Sequence, residues 1–187
     1  TKNIDHLLDK ITLHRGDLAD VPSLYRTIQS VKPGEIYNEA DQDHAGWSYD
    51  LPEYASDITG SAPGRVLEII RAVDPTIRFF QPLTSNMFGM TETKTQNEET
   101  PLRPQSPYAC AKVYALMLTR YYRDVHKIFA STATFFNHES PRRTDSPDRR
   151  PLVYLGQTPP PVPARQGRGN AGRPGRPRHQ SRGKPMS

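Results

Sequence analysis

Tyr108 and Lys112 stand four positions apart in Ser106-Pro107-Tyr108-Ala109-Cys110-Ala111-Lys112. On a helix that spacing places both side chains on one face, one turn apart. An ammonium beside a phenol favours the phenolate and lowers the tyrosine pKa towards neutrality, which gives an acid/base able to exchange a proton with a hydroxyl group. Taken alone, the spacing more often marks an exposed tyrosine and a solvated lysine. Its context here is more specific, because a strand-like run ends in Thr84-Ser85. The interval to the helix is right for setting a hydroxyl beside Tyr108.

The elements that must position these groups are legible around them. Ser106 is a good N-cap, and Pro107 suits the first helical position, where its missing N–H costs nothing. The spacing predicts a helix from there to about Asp124. Short β-rich runs alternate with helical patterns from residue 11 to residue 136, the pattern of a parallel sheet covered by helices. Strands are expected at Ile11 to His14, Glu35 to Asn38, Thr76 to Leu83 and Ile128 to Phe136. Leu24, Ile28 and Val31 have helical spacing within Val21 to Lys32. Val66, Leu67, Ile69 and Ile70 do so within Asp57 to Val73, where Pro63 places the expected helix start near itself. The fold class is α/β.

Composition separates two regions. Residues 1–140 carry 14 Lys+Arg against 18 Asp+Glu, whereas residues 141–187 carry 11 against 2. The basic pI of about 9.4 therefore belongs to the tail. Proline and glycine make up 16 of those last 47 residues, and no aromatic residue follows Tyr154. Such a segment buries too little apolar area to offset its ordering entropy, so disorder is expected. Without aromatic side chains for base stacking, the tail is not expected to bind nucleic acid. Cys110 is the only cysteine, which excludes a disulfide framework and a cysteine-based zinc site. No apolar run is long enough to span a membrane, and the polar start is not a signal peptide, so a soluble, cytoplasmic protein is expected.

Three strings carry a closer resemblance. Thr84-Ser85-x-Met87-Phe88-Gly89, Thr100-Pro101-x-x-Pro104-x-Ser106-Pro107-Tyr108 and Phe136-Asn137-His138-Glu139-Ser140-Pro141-Arg142-Arg143 are similar in order and spacing to GDP-mannose 4,6-dehydratases. The last is the most discriminating, since general members of the extended short-chain dehydrogenase superfamily share the Tyr and Lys but not this string. The resemblance covers roughly residues 11–145. It implies a Rossmann-type domain, NADP (or NAD) as cofactor, a nucleotide-sugar substrate such as GDP-mannose, and a homo-oligomer. The reaction it implies is an internal redox cycle. Hydride leaves C4 of the sugar, water is eliminated across C5 and C6, and the hydride returns to C6.

On this resemblance Tyr108 is the base at the C4 hydroxyl, Lys112 its electrostatic partner and a ribose ligand, and Thr84 a donor to the C4 oxygen. Ser85 and Asn137 join Thr84 and Tyr108 as substrate contacts. Asp17 and Leu18 match adenine contacts, and Glu39, Ala40, Asp41, Gln42 and Asp43 line the nicotinamide side. Tyr54, His138 and Arg143 match further cofactor contacts.

The sequence departs from the family pattern in four places. Asn86 stands where these dehydratases have the glutamate that removes the C5 proton, and an amide cannot do that work. An epimerase or reductase, which needs only the redox half, is the alternative reading, and a non-catalytic remnant is a third. Glu39-Ala40-Asp41-Gln42-Asp43-His44 replaces a more apolar Leu-Ala-Ala-Gln-Ser-His, adding carboxylates near a pyrophosphate. His44 itself reads as a hydrogen-bonded structural residue. No glycine-rich phosphate turn occurs, so the polypeptide alone is expected to bind NADP weakly or not at all. The family pattern stops near Thr144. The expected organisation is a partial NAD(P)-binding domain over 1–145 and a Pro/Gly/Arg-rich tail over 146–187, the latter of the character a shifted reading frame would produce.

Overall fold

The computed structural model describes residues 4–138, all within one compact unit, Thr1–Arg149. The tail and Arg143 lie outside the described residues. Three parallel strands form the sheet: β1 (Glu35–Tyr37), β2 (Arg78–Thr84) and β3 (Ala130–Phe135), in that spatial order. The register pairs Tyr37 with Phe80, and Thr84 with Phe135. Four α-helical segments accompany them: α1 (Val21–Val31), α2 (Pro52–Ala55), α3 (Ala62–Val73) and α4 (Pro107–His126). Among the described residues, no helix is long and apolar enough to cross a membrane.

The main core lies on one face of the sheet. Ile28 of α1 and Val66, Leu67, Ile69 and Ile70 of α3 pack with Phe79, Ile128 and Ala130. A second cluster, Leu83, Met87, Ala115 and Leu116, fastens α4 to the C-terminal end of β2. That second cluster fixes the chemistry-bearing turn of α4 against the strand end. The opposite face carries Tyr37, Phe80 and Phe135, whose rings meet in sequence at 5.8 and 6.1 Å.

The start of α4 forms as its sequence dictates. The Ser106 side chain accepts the Ala109 N–H at 3.1 Å, and Pro107 opens the first turn. Lys127, in the left-handed conformation at φ 59°, ends the helix. Removing the cap by Ser106→Ala is expected to cost about 1 kcal/mol, read as a lowered urea midpoint with an unchanged slope.

One expectation is corrected and another extended. Ile11 to His14 is irregular and exposed rather than a strand. Extended backbone is stable as part of a ladder, and no described strand pairs with it: β1 pairs only with β2. The helix expected to begin near Pro63 does so, since α3 opens at Ala62 with Pro63 in its first turn. What was not expected is that α2 and a widened turn, Ser56–Ser61, run into it without a break. Pro63 cannot donate to the residue four before it, and its ring would collide with that carbonyl in a regular helix. The widened turn, in which the Ala62 N–H reaches Asp57, absorbs this without ending the helix.

Gly60 in that turn lies directly under α4. A Cβ there would stand 3.2 Å from the Tyr114 ring and 3.4 Å from Ala111. The absent side chain lets α4 approach closely, one residue from Lys112.

Candidate active site

The site begins with an irregularity in β2. The Phe79 N–H donates to Phe129 on the β3 side, whereas the Phe80 carbonyl accepts from Asn38 on the β1 side. By strand alternation Pro82 also faces the β1 side, two residues beyond the last β1 pair. A proline is tolerated there because no ladder partner awaits its missing N–H. Its carbonyl would be orphaned, and two side chains take it. Lys112 Nζ donates to Pro82 O at 2.9 Å, and Gln81 Nε2 does so at 3.1 Å. Gln81 is held in turn by the Asn38 amide, 2.8 Å from its Oε1.

Lys112 is buried, with its side chain only 3% exposed, and it is paired. Its ammonium lies 2.5 Å from Asp41 Oδ2, a carboxylate that is itself 10% exposed. Two of its three donors are thereby used, leaving one unused. The same ammonium sits 5.7 Å from the centroid of the Tyr108 ring. Tyr108 is also buried, with the side chain of Thr84, the last residue of β2, close enough to act on its phenol. Tyr108, Lys112, Thr84 and Asp41 thus form one cluster at the C-terminal end of a parallel strand, where open α/β sheets bind their ligands.

The electrostatics differ from the expectation for Tyr108. Burial above all, and the Asp41 carboxylate next, push the phenol well above the ordinary tyrosine range. Asp43 adds to this, while the Thr84 side chain acts in the opposite sense. A lone ammonium would favour the phenolate, but Lys112 is charge-compensated by Asp41 at contact distance.

The remaining candidates divide by position. Ser85 and Asn86 open a short 3-10 turn, Ser85–Phe88, directly after Thr84, and the Thr84 hydroxyl caps it by accepting the Asn86 N–H at 3.3 Å. Asn86 is half-buried there. The turn ends at Gly89, where φ is +59° and a Cβ would fall 1.9 Å from the Arg103 carbonyl. Only glycine suits that position. Asp17, Leu18 and Ala40 line a separate shallow hollow with His14, Gly16 and Thr27. Asp17 caps its own turn through the Ala19 N–H at 2.8 Å, and the Leu18 carbonyl accepts from Arg65 at 3.2 Å.

Glu39, Asp43 and Tyr54 are exposed, Tyr54 on α2. Asn137 and His138 follow β3, the His138 ring 5.0 Å from that of Phe135. His44 plays the structural part expected of it: its Nδ1 accepts the Trp47 N–H at 3.2 Å.

Sequence reasoning placed Asp41 in the site but missed its pairing with Lys112. The one available signal was the presence of a carboxylate in a loop where the resembling family is apolar. The buried Asn38–Gln81 pair carried no signal at all.

A nicotinamide cofactor fits this arrangement at one end. Asp41 Oδ1 and Gln42 Oε1 are buried acceptors without a partner, beside an ammonium with one donor unused. Ribose hydroxyls are donors and acceptors of the kind that would satisfy both. The pyrophosphate end is served less well, since Asp41 and Asp43 are both acidic and no glycine-rich turn occurs in the sequence.

Residues 1–153 match the family described as GDP-mannose 4,6 dehydratase. A GDP-mannose 4,6 dehydratase of Drosophila melanogaster is 40% identical over 156 residues, covering 78% of this chain and 40% of that protein. One from Homo sapiens is 38% identical over 160 residues, covering 81% and 43%. The chain thus spans about two-fifths of the length of these curated relatives. Among solved structures, RMD from Pseudomonas aeruginosa complexed with NADPH superposes with a TM-score of 0.67 at 21% identity, covering 78% of this chain and 53% of that one. The dTDP-glucose 4,6-dehydratase DesIV from Streptomyces venezuelae, with NAD and TYD bound, gives 0.63 at 19%, covering 72% and 42%. These structural likenesses establish a Rossmann-type fold.

Proposed function

This chain belongs to the GDP-mannose 4,6 dehydratase family, and we propose that it carries the redox half of a nucleotide-sugar 4,6-dehydratase acting on GDP-mannose with NADP, or NAD in its place. The observation that carries this reading is the buried cluster of Tyr108, Lys112 and Thr84 at the C-terminal end of β2. In this reading residues 1–145 are part of a cofactor-binding domain, and the assembled protein is a cytoplasmic homo-oligomer.

When bound, the nicotinamide would accept hydride from C4 of the sugar and return it later in the cycle. This chain's own residues do the rest. Tyr108 exchanges the proton of the C4 hydroxyl, and Thr84 holds the C4 oxygen by a hydrogen bond. Lys112, anchored on the Pro82 carbonyl, offers its third donor to the ribose. Ser85 and Asn137 contact the sugar, and Gln42 contributes its unpartnered Oε1 to the nicotinamide side. Asp17 and Leu18, in their separate hollow, hold the adenine. Glu39, Ala40, Asp43, Tyr54, His138 and Arg143 complete the cofactor contacts.

Asn86 favours a second reading. With no carboxylate at that position, an epimerase or reductase using only the C4 redox step has every group it needs. Product analysis by mass spectrometry after incubation with GDP-mannose and saturating NADP separates the two. The dehydratase reading expects a product lighter by one water. An isomer of unchanged mass would replace it with the epimerase reading, and unreacted GDP-mannose alone would contradict both.

A further inference from the structure

Asp41 is unexpected chemistry at the centre of the site. Its carboxylate contacts Lys112 Nζ at 2.5 Å, and both side chains are at least nine-tenths buried. At that separation and burial the attraction is scarcely screened by salt. Among the described residues, the Lys112 ammonium is the only basic group placed at the Tyr108 ring, 5.7 Å from its centroid. The groups acting on Tyr108 from its neighbours are Lys112 on α4, Asp41 and Asp43 on the loop after β1, and the Thr84 hydroxyl at the end of β2. Two carboxylates therefore face one ammonium around a buried phenol.

We propose that Asp41 is a positioning residue that cancels the Lys112 charge and holds Tyr108 as the protonated, proton-donating phenol through neutral pH. Burial and the direct effect of Asp41 on the phenol act in the same direction. A neutral phenol is suited to giving a proton to a carbonyl oxygen, and the phenolate to taking one from an alcohol. Asp41 thus biases the proton-transfer pair towards the carbonyl-reducing direction at neutral pH, and C4 oxidation gains with rising pH. The inference rests on Tyr108 and Lys112 being the pair named under the proposed function.

The test needs neither cofactor nor substrate. The full chain is labelled with [13Cζ]tyrosine, the Tyr108 resonance is assigned through Tyr108→Phe, and its shift is followed against pH. The wild-type signal is expected to stay at the neutral-phenol position beyond about pH 10, the ordinary midpoint for tyrosine. In Asp41→Asn the midpoint is expected to fall by at least about one pH unit, whereas Asp41→Glu, which retains the charge, keeps the wild-type behaviour. A wild-type midpoint below about 10, or an unchanged midpoint in Asp41→Asn, overturns the proposal. If Asp41→Asn does not fold, Asp41→Ala replaces it, and the wild-type midpoint retains its power to refute. Because the titration reads Tyr108 alone, it fails or holds independently of any turnover of GDP-mannose.

Discussion

Asn86→Glu is expected to raise the rate of water elimination from GDP-mannose by roughly 100- to 10,000-fold, the usual range for one general acid/base. Elimination across C5 and C6 requires removal of a weakly acidic C5 proton and expulsion of hydroxide from C6. A carboxyl group can serve both steps, whereas an amide has no titratable proton at any accessible pH. Asn86 follows Thr84 by two residues in a turn that the Thr84 hydroxyl itself caps. A glutamate at this half-buried position starts from a backbone already fixed relative to Thr84. The measurement is formation of the dehydrated product under saturating GDP-mannose and NADP. A rate indistinguishable from that of the wild type would mean that position 86 does not face C5 and C6.

The second large effect concerns stability. Lys112→Met is expected to cost about 3–5 kcal/mol, because it leaves the Asp41 carboxylate buried without its counter-ion. Asp41 already has one oxygen without a partner, so the substitution would orphan both. The Pro82 carbonyl suffers less, since Gln81 still donates to it. Much of the penalty thus belongs to the stranded charge rather than to the pair as such. Lys112→Met combined with Asp41→Ala should recover most of the loss, as replacing a whole buried pair by apolar groups is often nearly neutral. Urea unfolding of the two single variants and the double variant closes the cycle. A cost below about 1 kcal/mol for Lys112→Met would place the pair in the range of solvated surface bridges.

The parts of this fold that are local were legible in the sequence. Ser106-Pro107 marked the start of α4 because both residues act within their own turn, and the cap forms as expected. β2 and β3 were legible because buried parallel strands are written as short runs of β-branched and aromatic residues. What depends on distant partners was not. Ile11 to His14 has strand composition, but a ladder needs a neighbour and none of the described strands supplies one. Pro63 marked the start of α3, but nothing in the sequence marked the widened turn that runs into it from α2.

The same division holds in the site. The Tyr108 and Lys112 spacing was enough to set both on one buried face of α4. The counter-ion was not, since Asp41 reaches Lys112 only because β1 ends before Pro82 and the chain turns across the strand end. Burial first, and the Asp41 carboxylate next, reverse the expected acidification of Tyr108. An i, i+4 spacing can place an ammonium near a phenol, but it says nothing about what else will sit on the ammonium.

The central claim is that Tyr108, Lys112 and Thr84 form a redox site acting at C4 of a nucleotide sugar. It is tested most directly by the near-ultraviolet absorbance of reduced nicotinamide when GDP-mannose is mixed with the chain at about pH 9, where solvent takes up the proton that C4 oxidation releases. NADP is raised until its effect saturates, to overcome the weak binding expected of this polypeptide. With an amide at position 86 the following elimination is expected to be slow, so reduced cofactor should accumulate. Its appearance should slow when C4 carries deuterium and vanish in Tyr108→Phe. No absorbance change with saturating cofactor, or a change that persists undiminished in Tyr108→Phe, would contradict the assignment.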